Sequence, residues 1–153
     1  MTKKNLALNL LAAASAACFA ASALAQHKPE DLVKHRQAAM SLMGWYFGPI
    51  GAMVNNKMPF DAKLAARNAG YLVTLSRMPL EGFDPSTSGA KNTKAKDKIY
   101  LEMDKFKRHM EKMQTEVDKL DKAAQTGNEA DINVAFGNAA KSCKSCHDDF
   151  RAK

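Results

Sequence analysis

The sequence has few cysteines, only three in 153 residues: Cys18, Cys143 and Cys146. So small a number excludes an exported domain held together by several disulfides. It also excludes a zinc site built from two cysteine pairs, because such a site needs four ligands. A disulfide between Cys143 and Cys146 would close a very short loop and stabilise the fold little. The C-terminal pair therefore points to another chemistry.

Strand-like alternation of apolar and polar residues is absent, and no segment repeats at a fixed period. The one long apolar run lies in residues 1–25, where two lysines precede an alanine-rich stretch that ends in Ala-Leu-Ala. This order predicts a secretory signal peptide that is cleaved after Ala25, and hence a periplasmic location in a bacterium. The run is too interrupted by serine for a membrane span. We therefore expect one domain, residues 26–153, with no membrane span after leader cleavage.

Acidic residues are in the minority, with 16 against 23 lysines and arginines. Removal of the leader with its two lysines leaves 21 basic and 16 acidic residues, a net charge of +5. The lysines between residues 91 and 107 alternate with acids in or beside one loop. That pattern favours a solvated face or an acidic protein partner over nucleic acid.

Apolar residues recur at helical spacing near the C-terminal end. Between residues 98 and 124 they follow alternating steps of four and three, as in a helical bundle, at Ile99, Met103, Phe106, Met110, Met113, Val117, Leu120 and Ala124. Residues 132–150 repeat this spacing, and Cys143 and Cys146 lie on the apolar side. Between the two segments, Gly127 predicts a helix stop and Asn128 an N-cap.

Two further helices are expected upstream. A proline followed by two acids, at residues 29–31, predicts the start of the first helix, and Pro49 predicts an interruption or a kink in it. The second is expected within residues 59–78. Residues 81–95 are rich in glycine, proline and serine and predict a long loop. The sequence therefore predicts an all-α, antiparallel four-helix bundle.

The pentad Cys143-Lys-Ser-Cys146-His147 is the pattern that attaches haem c. Each thiol adds across a haem vinyl group to form a thioether, so both thiols must face one side of the backbone. Helical residues three and four apart share a face, which brings Cys143, Cys146 and His147 together. His147 is then expected to bind the iron as the axial metal ligand. The pentad predicts one covalent haem c per chain, and a haem-free thiol or metal protein is the remote alternative.

These features resemble the class II c-type cytochromes, and most closely the cytochrome c′ group. The resemblance rests on CKSCHDDFR at the C-terminal end, KPEDLVKHRQAAM in the first helix and LVTLSRMPLEGF before the loop, and it covers residues 26–153. It implies that Arg36 and Gln37 contact the haem propionates. An arginine suits this role because it can hold a carboxylate through two hydrogen bonds. A surface salt bridge is the alternative for Arg36.

The resemblance also implies the other cofactor-binding residues. Met40 and Phe83 are expected in the distal pocket, and Thr93 and Lys94 at the haem periphery. Arg151 is expected on the proximal side, where it would also complement the helix C-terminus as a cation. A homodimer through the first two helices is implied as well.

Two functions stay open at this stage. In the first, the iron is five-coordinate and high-spin, and the protein binds nitric oxide or carbon monoxide, carries electrons to an unknown redox partner, or does both. In the second, Met40 is the sixth iron ligand of a low-spin electron-transfer cytochrome. No distal general acid or base is predicted, so we expect no enzyme, although an open haem is compatible with weak nitric-oxide-removing or peroxidase-like activity.

Overall fold

The computed structural model describes residues 27–153, so the predicted leader lies outside the described residues. The α-helices are α1 (Pro29–Val54), α2 (Ala62–Leu75), the one-turn α3 (Lys98–Leu101), α4 (Met103–Thr126) and α5 (Glu129–Phe150). Packing runs from α1 to α2, from α2 to α4, from α4 to α5, and from α5 back to α1. The all-α four-helix bundle predicted from the sequence is confirmed. Within residues 27–153, no helix combines the length and the apolar character needed to cross a bilayer.

The helix ends follow local chemistry. The side-chain oxygens of Asp61 and Asn128 accept hydrogen bonds from the backbone amides of Leu64 (3.0 Å) and Asp131 (3.2 Å), at the starts of α2 and α5. Such caps satisfy amides that have no partner inside the helix. Gly127 ends α4 with φ of 70°, a left-handed conformation that glycine adopts without strain. The short connection makes α4 and α5 antiparallel neighbours.

The predicted apolar side of residues 98–124 forms much of the core. Seven of its eight residues are buried, and Met103 is half-buried. One helix was expected here, however, and the structure has two, because Glu102 leaves the helical conformation with φ of −122° and ψ of 41°. The Glu102 carboxylate pairs with Lys98 (3.5 Å) on one side of the break and Lys105 (3.9 Å) on the other. The break leaves Leu101 at 85% exposure.

Of the interruption or kink expected at Pro49, the interruption is wrong, because α1 runs through this proline to Val54. Proline removes the backbone hydrogen bond to the residue four positions earlier. That residue is Trp45, which is 75% exposed, so water can replace the missing partner. The helix therefore stays continuous across the bundle.

The long loop between α2 and α3 contains two 3₁₀ turns, Pro79–Gly82 and Pro85–Thr87. Backbone hydrogen bonds join this loop to the end of α5. The Lys96 amide donates to the Phe150 carbonyl (2.9 Å), and the Ala152 amide donates to the Lys94 carbonyl (2.8 Å). These bonds flank an isolated antiparallel bridge between Ala95 and Arg151. The bridge holds the loop beside the C-terminal end of α5.

Candidate functional site

A cavity of about 550 Å³ lies between α1 and the end of α5, and the long loop and the α3–α4 segment close it. The α1 wall consists of Arg36, Gln37, Met40, Ser41 and Gly44. The α5 wall consists of Cys146, His147, Phe150 and the adjoining Arg151. The remaining lining residues are Phe83, Thr93, Lys94, Ala95, Ile99 and Phe106. The volume and the mainly apolar lining are typical of a site for an organic cofactor.

Nine of the ten residues that the sequence analysis named as site residues line this one cavity. Met40 belongs to the α1 wall and His147 to the α5 wall, so the two face the same space. The exception is Cys143, one turn before His147, which is half-buried and packs against the core without lining the cavity. Cys143 and Cys146 are not joined by a disulfide.

Burial affects the protonation state of His147 in the α5 wall. It lowers the pKa of His147, and the nearby Arg151 guanidinium lowers this pKa further. Both effects disfavour the imidazolium ion, so the ring is neutral at neutral pH. A neutral imidazole is the form that binds a metal ion.

The two thiols are also kept uncharged. Burial raises the pKa of Cys143. Burial, followed by the charges of Cys143 and Asp149, raises the pKa of Cys146 to about 11. Thiol–disulfide exchange needs a thiolate, and catalytic dithiols have a lowered pKa for that reason. The pair therefore has the opposite character from a redox dithiol.

Arg36 is the centre of a buried hydrogen-bond network at the edge of the cavity. Its side chain is 2% exposed, and its Nη1 donates to the Gly82 carbonyl (2.9 Å), Thr87 Oγ1 (3.0 Å) and the Tyr100 hydroxyl (2.9 Å). The guanidinium carbon lies 4.4 Å from the centroid of the Phe83 ring, a cation–π distance. Within residues 27–153, no carboxylate pairs with it. The surface salt bridge considered for Arg36 is therefore wrong.

An arginine that is buried without a counter-charge is energetically costly. A ligand carrying a carboxylate at this edge of the cavity would supply the missing charge. The loop is held close by Gln37, whose Nε2 donates to the Asn92 carbonyl (2.6 Å). Thr93 Oγ1 accepts from the Ala95 amide (3.1 Å) and lies 3.5 Å from Arg36 Nη2.

Several lining and supporting residues were not recognised as site residues from the sequence. Phe106 packs on Phe83 (4.6 Å between ring centroids) and on Phe150 (5.4 Å), which makes an aromatic lining on one side of the cavity. Helical periodicity predicted Phe106 and Phe150 as core residues, but it did not predict that the core opens beside them. Tyr100 and Thr87 support Arg36 across long stretches of sequence, and no motif points to them.

The residues present fit a haem bound to α5. The two thiols and the neutral imidazole of His147 belong to α5. Apolar and aromatic side chains surround the space for the macrocycle. The buried guanidinium of Arg36, which has no carboxylate partner among residues 27–153, lies at the edge. A four-helix bundle with a Cys-x-x-Cys-His pentad beside such a cavity is a c-type cytochrome.

Comparison with known proteins identifies the family. A family model described as Cytochrome C' matches residues 31–151. Cytochrome c′ of Rubrivivax gelatinosus is 42% identical over 126 residues, covering 82% of this chain and 98% of the relative. Cytochrome c′ of Alcaligenes xylosoxydans xylosoxydans is 38% identical over 126 residues, covering 82% and 97%. The chain belongs to the cytochrome c′ family, and covalent haem c is its cofactor.

Solved structures agree with the sequence relatives. The crystal structure of the Rubrivivax gelatinosus protein matches with a TM-score of 0.79 at 41% identity and covers 82% of this chain and 98% of that one. A nitric oxide complex of an Alcaligenes xylosoxidans cytochrome c′ variant matches with a TM-score of 0.76 at 38% identity, with coverage of 82% and 98%.

Proposed function

We propose that the protein binds nitric oxide and carbon monoxide at a five-coordinate, high-spin haem iron and passes single electrons through the same haem. The observation that carries the proposal is the cavity, in which Met40 of the α1 wall and the aromatic rings of Phe83 and Phe106 share one space with the neutral imidazole of His147. The haem supplies an iron with one open coordination position. The nitric oxide complex of the Alcaligenes xylosoxidans cytochrome c′ variant supports the choice of ligand.

The α5 residues hold the cofactor. Cys143 and Cys146 would form the thioethers to the haem vinyl groups, and the neutral His147 imidazole would bind the iron. Burial keeps His147 neutral and therefore ready to bind the metal. Arg151 lies beside it at the end of the helix, where its positive charge further disfavours imidazolium.

The opposite wall and the loop select the ligand. Arg36 and Gln37 hold the propionates, with Thr93 and Lys94 at the same edge. Arg36 bonds to the loop through Nη1 and Gln37 through Nε2, so the propionates would be held by the remaining donors of the two side chains. Met40 and Phe83 present apolar surface, which excludes water and favours a small neutral gas.

A carbon monoxide difference spectrum of the haem-loaded protein tests gas binding. We expect a high-spin spectrum and carbon monoxide uptake both in the wild type and in Met40→Leu, a volume-conserving replacement. Met110→Leu, a buried methionine outside the cavity, is the matched control. A low-spin wild type that becomes high-spin only in Met40→Leu would replace the proposal with the second candidate, an electron-transfer cytochrome with Met40 on the iron. That candidate is favoured only by the position of Met40 opposite His147.

Covalent attachment is tested by extraction with acidified acetone. Thioethers are not extracted, so pyridine haemochrome absorbance should remain with the wild-type protein. A double Cys143→Ser and Cys146→Ser variant should lose it. Enzymatic turnover is not part of the proposed function.

A homodimer through α1 and α2 is part of the proposal. Trp45 is 75% exposed, Leu42 one turn earlier is 45% exposed, and Tyr71 on α2 is 48% exposed. Exposed aromatic residues on adjoining helices are typical of an interface. Trp45→Lys should give a monomer in sedimentation at micromolar concentration, whereas Val134→Lys on α5 should not. A monomeric wild type would remove the proposal.

Export completes the proposal. Residues 1–25 direct the chain to the periplasm, and the mature protein begins at Gln26. The intact mass of the protein from a periplasmic fraction tests this, since retention of the leader would contradict it.

A further inference from the structure

Positive charge is concentrated in one segment beside the cavity. Residues 91–112 contain eight basic and four acidic residues, a net charge of +4, whereas residues 26–153 as a whole have a net charge of +5. The same segment contributes Thr93, Lys94, Ala95, Ile99 and Phe106 to the cavity lining. The segment with the largest positive excess therefore also lines the cofactor site, and Asp149 of α5 pairs with its Lys105 and His109.

The cavity wall is thin at this place. Phe150 lines the cavity, and the ammonium nitrogens of Lys98 and Lys105 each lie 5.8 Å from the centroid of its ring. Lys96 Nζ donates to the Asp149 carbonyl (3.1 Å) at the same end of α5. One aromatic ring thus separates these surface cations from the cofactor space.

An exposed apolar side chain lies between two of these lysines in the sequence. Leu101 is 85% exposed, because the chain leaves the helix at Glu102. It lies three residues after Lys98 and four before Lys105. We call the group Lys94, Lys96, Lys98, Leu101 and Lys105 the Leu101 surface.

A cationic groove continues from this surface along α4. It has a volume of about 440 Å³ and is lined by Lys105, Arg108, His109, Lys112, Ser142 and Ser145. Within residues 27–153, Arg108 forms no ion pair. Lys105 and His109 pair with Asp149 (2.8 and 3.3 Å), and Lys112 pairs with Glu116 (2.7 Å). Among the described lining residues, Arg108 is therefore the cation left for a carboxylate of a partner.

We propose that the Leu101 surface and this groove dock an acidic redox protein that exchanges one electron with the haem. The proposal rests on the proposed function, since it needs the haem in the cavity. In the exchange, the reduced cofactor of the partner loses one electron and ferric haem gains it, or the reverse, and no atom or proton is transferred. Complementary charge speeds and orients such encounters, and Leu101 adds an apolar contact. An anionic membrane is disfavoured because a membrane-binding face needs several large apolar side chains.

The test uses the haem-loaded protein and an acidic plant-type [2Fe–2S] ferredoxin as the probe. Calorimetric titration at low salt should show a complex whose Kd rises with salt, since screening weakens exposed charge pairs. Lys98→Glu should raise the Kd about tenfold and Leu101→Ala about fivefold. Lys57→Glu makes the same charge change on an exposed lysine between α1 and α2, and it should change the Kd less than about twofold. Second-order rates of haem reduction by reduced ferredoxin should follow the same order.

Equal weakening by Lys98→Glu and Lys57→Glu would overturn the proposal, because only net charge would then matter. So would absence of ferredoxin binding, including the case in which the protein binds vesicles of anionic phospholipid instead. Carbon monoxide uptake by the same samples tests the proposed function separately. Uptake without ferredoxin binding refutes the docking surface alone, whereas loss of covalent haem from the wild type refutes the proposed function.

Discussion

Replacement of Gly82 by alanine is expected to destabilise the protein, because this glycine packs directly on α1. A Cβ atom at residue 82 would lie 2.5 Å from the Leu32 carbonyl oxygen and 2.8 Å from the Cβ of Arg36. The first distance is 0.9 Å short of the 3.4 Å at which ordinary contact begins. The oxygen belongs to the helix backbone and cannot rotate away, so the 3₁₀ turn that ends at Gly82 has to move.

The cost has two parts. Overpacking a tightly filled position costs about 1–3 kcal/mol. Movement of the turn also stretches the bond from Arg36 to the Gly82 carbonyl, and a bond to a charged donor contributes about 1.5–3 kcal/mol when intact. With part of that bond retained, we expect the free energy of unfolding to fall by about 2–4 kcal/mol. Phe83 follows directly and lines the cavity, so the haem absorption bands should also shift.

Guanidinium unfolding of the haem-loaded protein, followed by circular dichroism, measures the change. Gly137→Ala is the matched control, because a Cβ there would meet no atom within 4 Å and the residue lies inside α5. It should raise the free energy of unfolding by about 0.5–1 kcal/mol, since alanine favours a helix interior. Equal stability of Gly82→Ala and wild type, or a shift of both variants in the same direction, would refute the reasoning.

Three further predictions concern single contacts. Tyr100→Phe removes a hydroxyl that accepts a hydrogen bond from Arg36, so a denaturant titration should show a free energy of unfolding lower by about 1–2 kcal/mol. An unchanged free energy of unfolding would contradict a stabilising role for this bond. Two lysines hydrogen-bond Glu116 and lower its pKa from 4.5, so its stabilisation is full above pH 4.5 and is lost as pH falls through the lowered value. The stability difference between wild type and Glu116→Gln should therefore shrink in acid, and a difference that grows would contradict this assignment. Asp61→Ala removes the N-cap of α2 and should lower the free energy of unfolding by about 1 kcal/mol, whereas Asp61→Asn should restore most of it.

The parts of the fold that sequence predicts well are those set by local rules. The helical period identified the buried face of α4, and Gly127 with Asn128 marked the turn between α4 and α5. The pentad is also local, because residues three and four apart share a helix face whatever the rest of the chain does. The site residues Arg36, Gln37 and Met40 on α1 were predicted from the family resemblance, because no local rule connects them to His147.

The features that sequence did not predict depend on contacts between distant segments. Tyr100 bonds to Arg36 from 64 residues away. Nothing in the residues around Glu102 forbids a helix, and its ion pairs do not explain the break, since they join residues only three and four positions apart. Pro49 is tolerated because Trp45 meets solvent, which a helical period alone does not establish.

The network around Arg36 also bears on the order in which the protein folds. Its bonds join residues 46, 51 and 64 positions apart, whereas α4 and α5 are joined by a short turn. Because distant contacts carry a larger loop-closure cost, we expect α4 and α5 to pair early and α1 to dock late. Before α1 docks, the thiols and the imidazole of α5 are expected to be accessible on the uncovered side of the α4–α5 pair. Docking of α1 then forms the long-range contacts that close the cofactor site, so covalent attachment of the haem is expected to precede it.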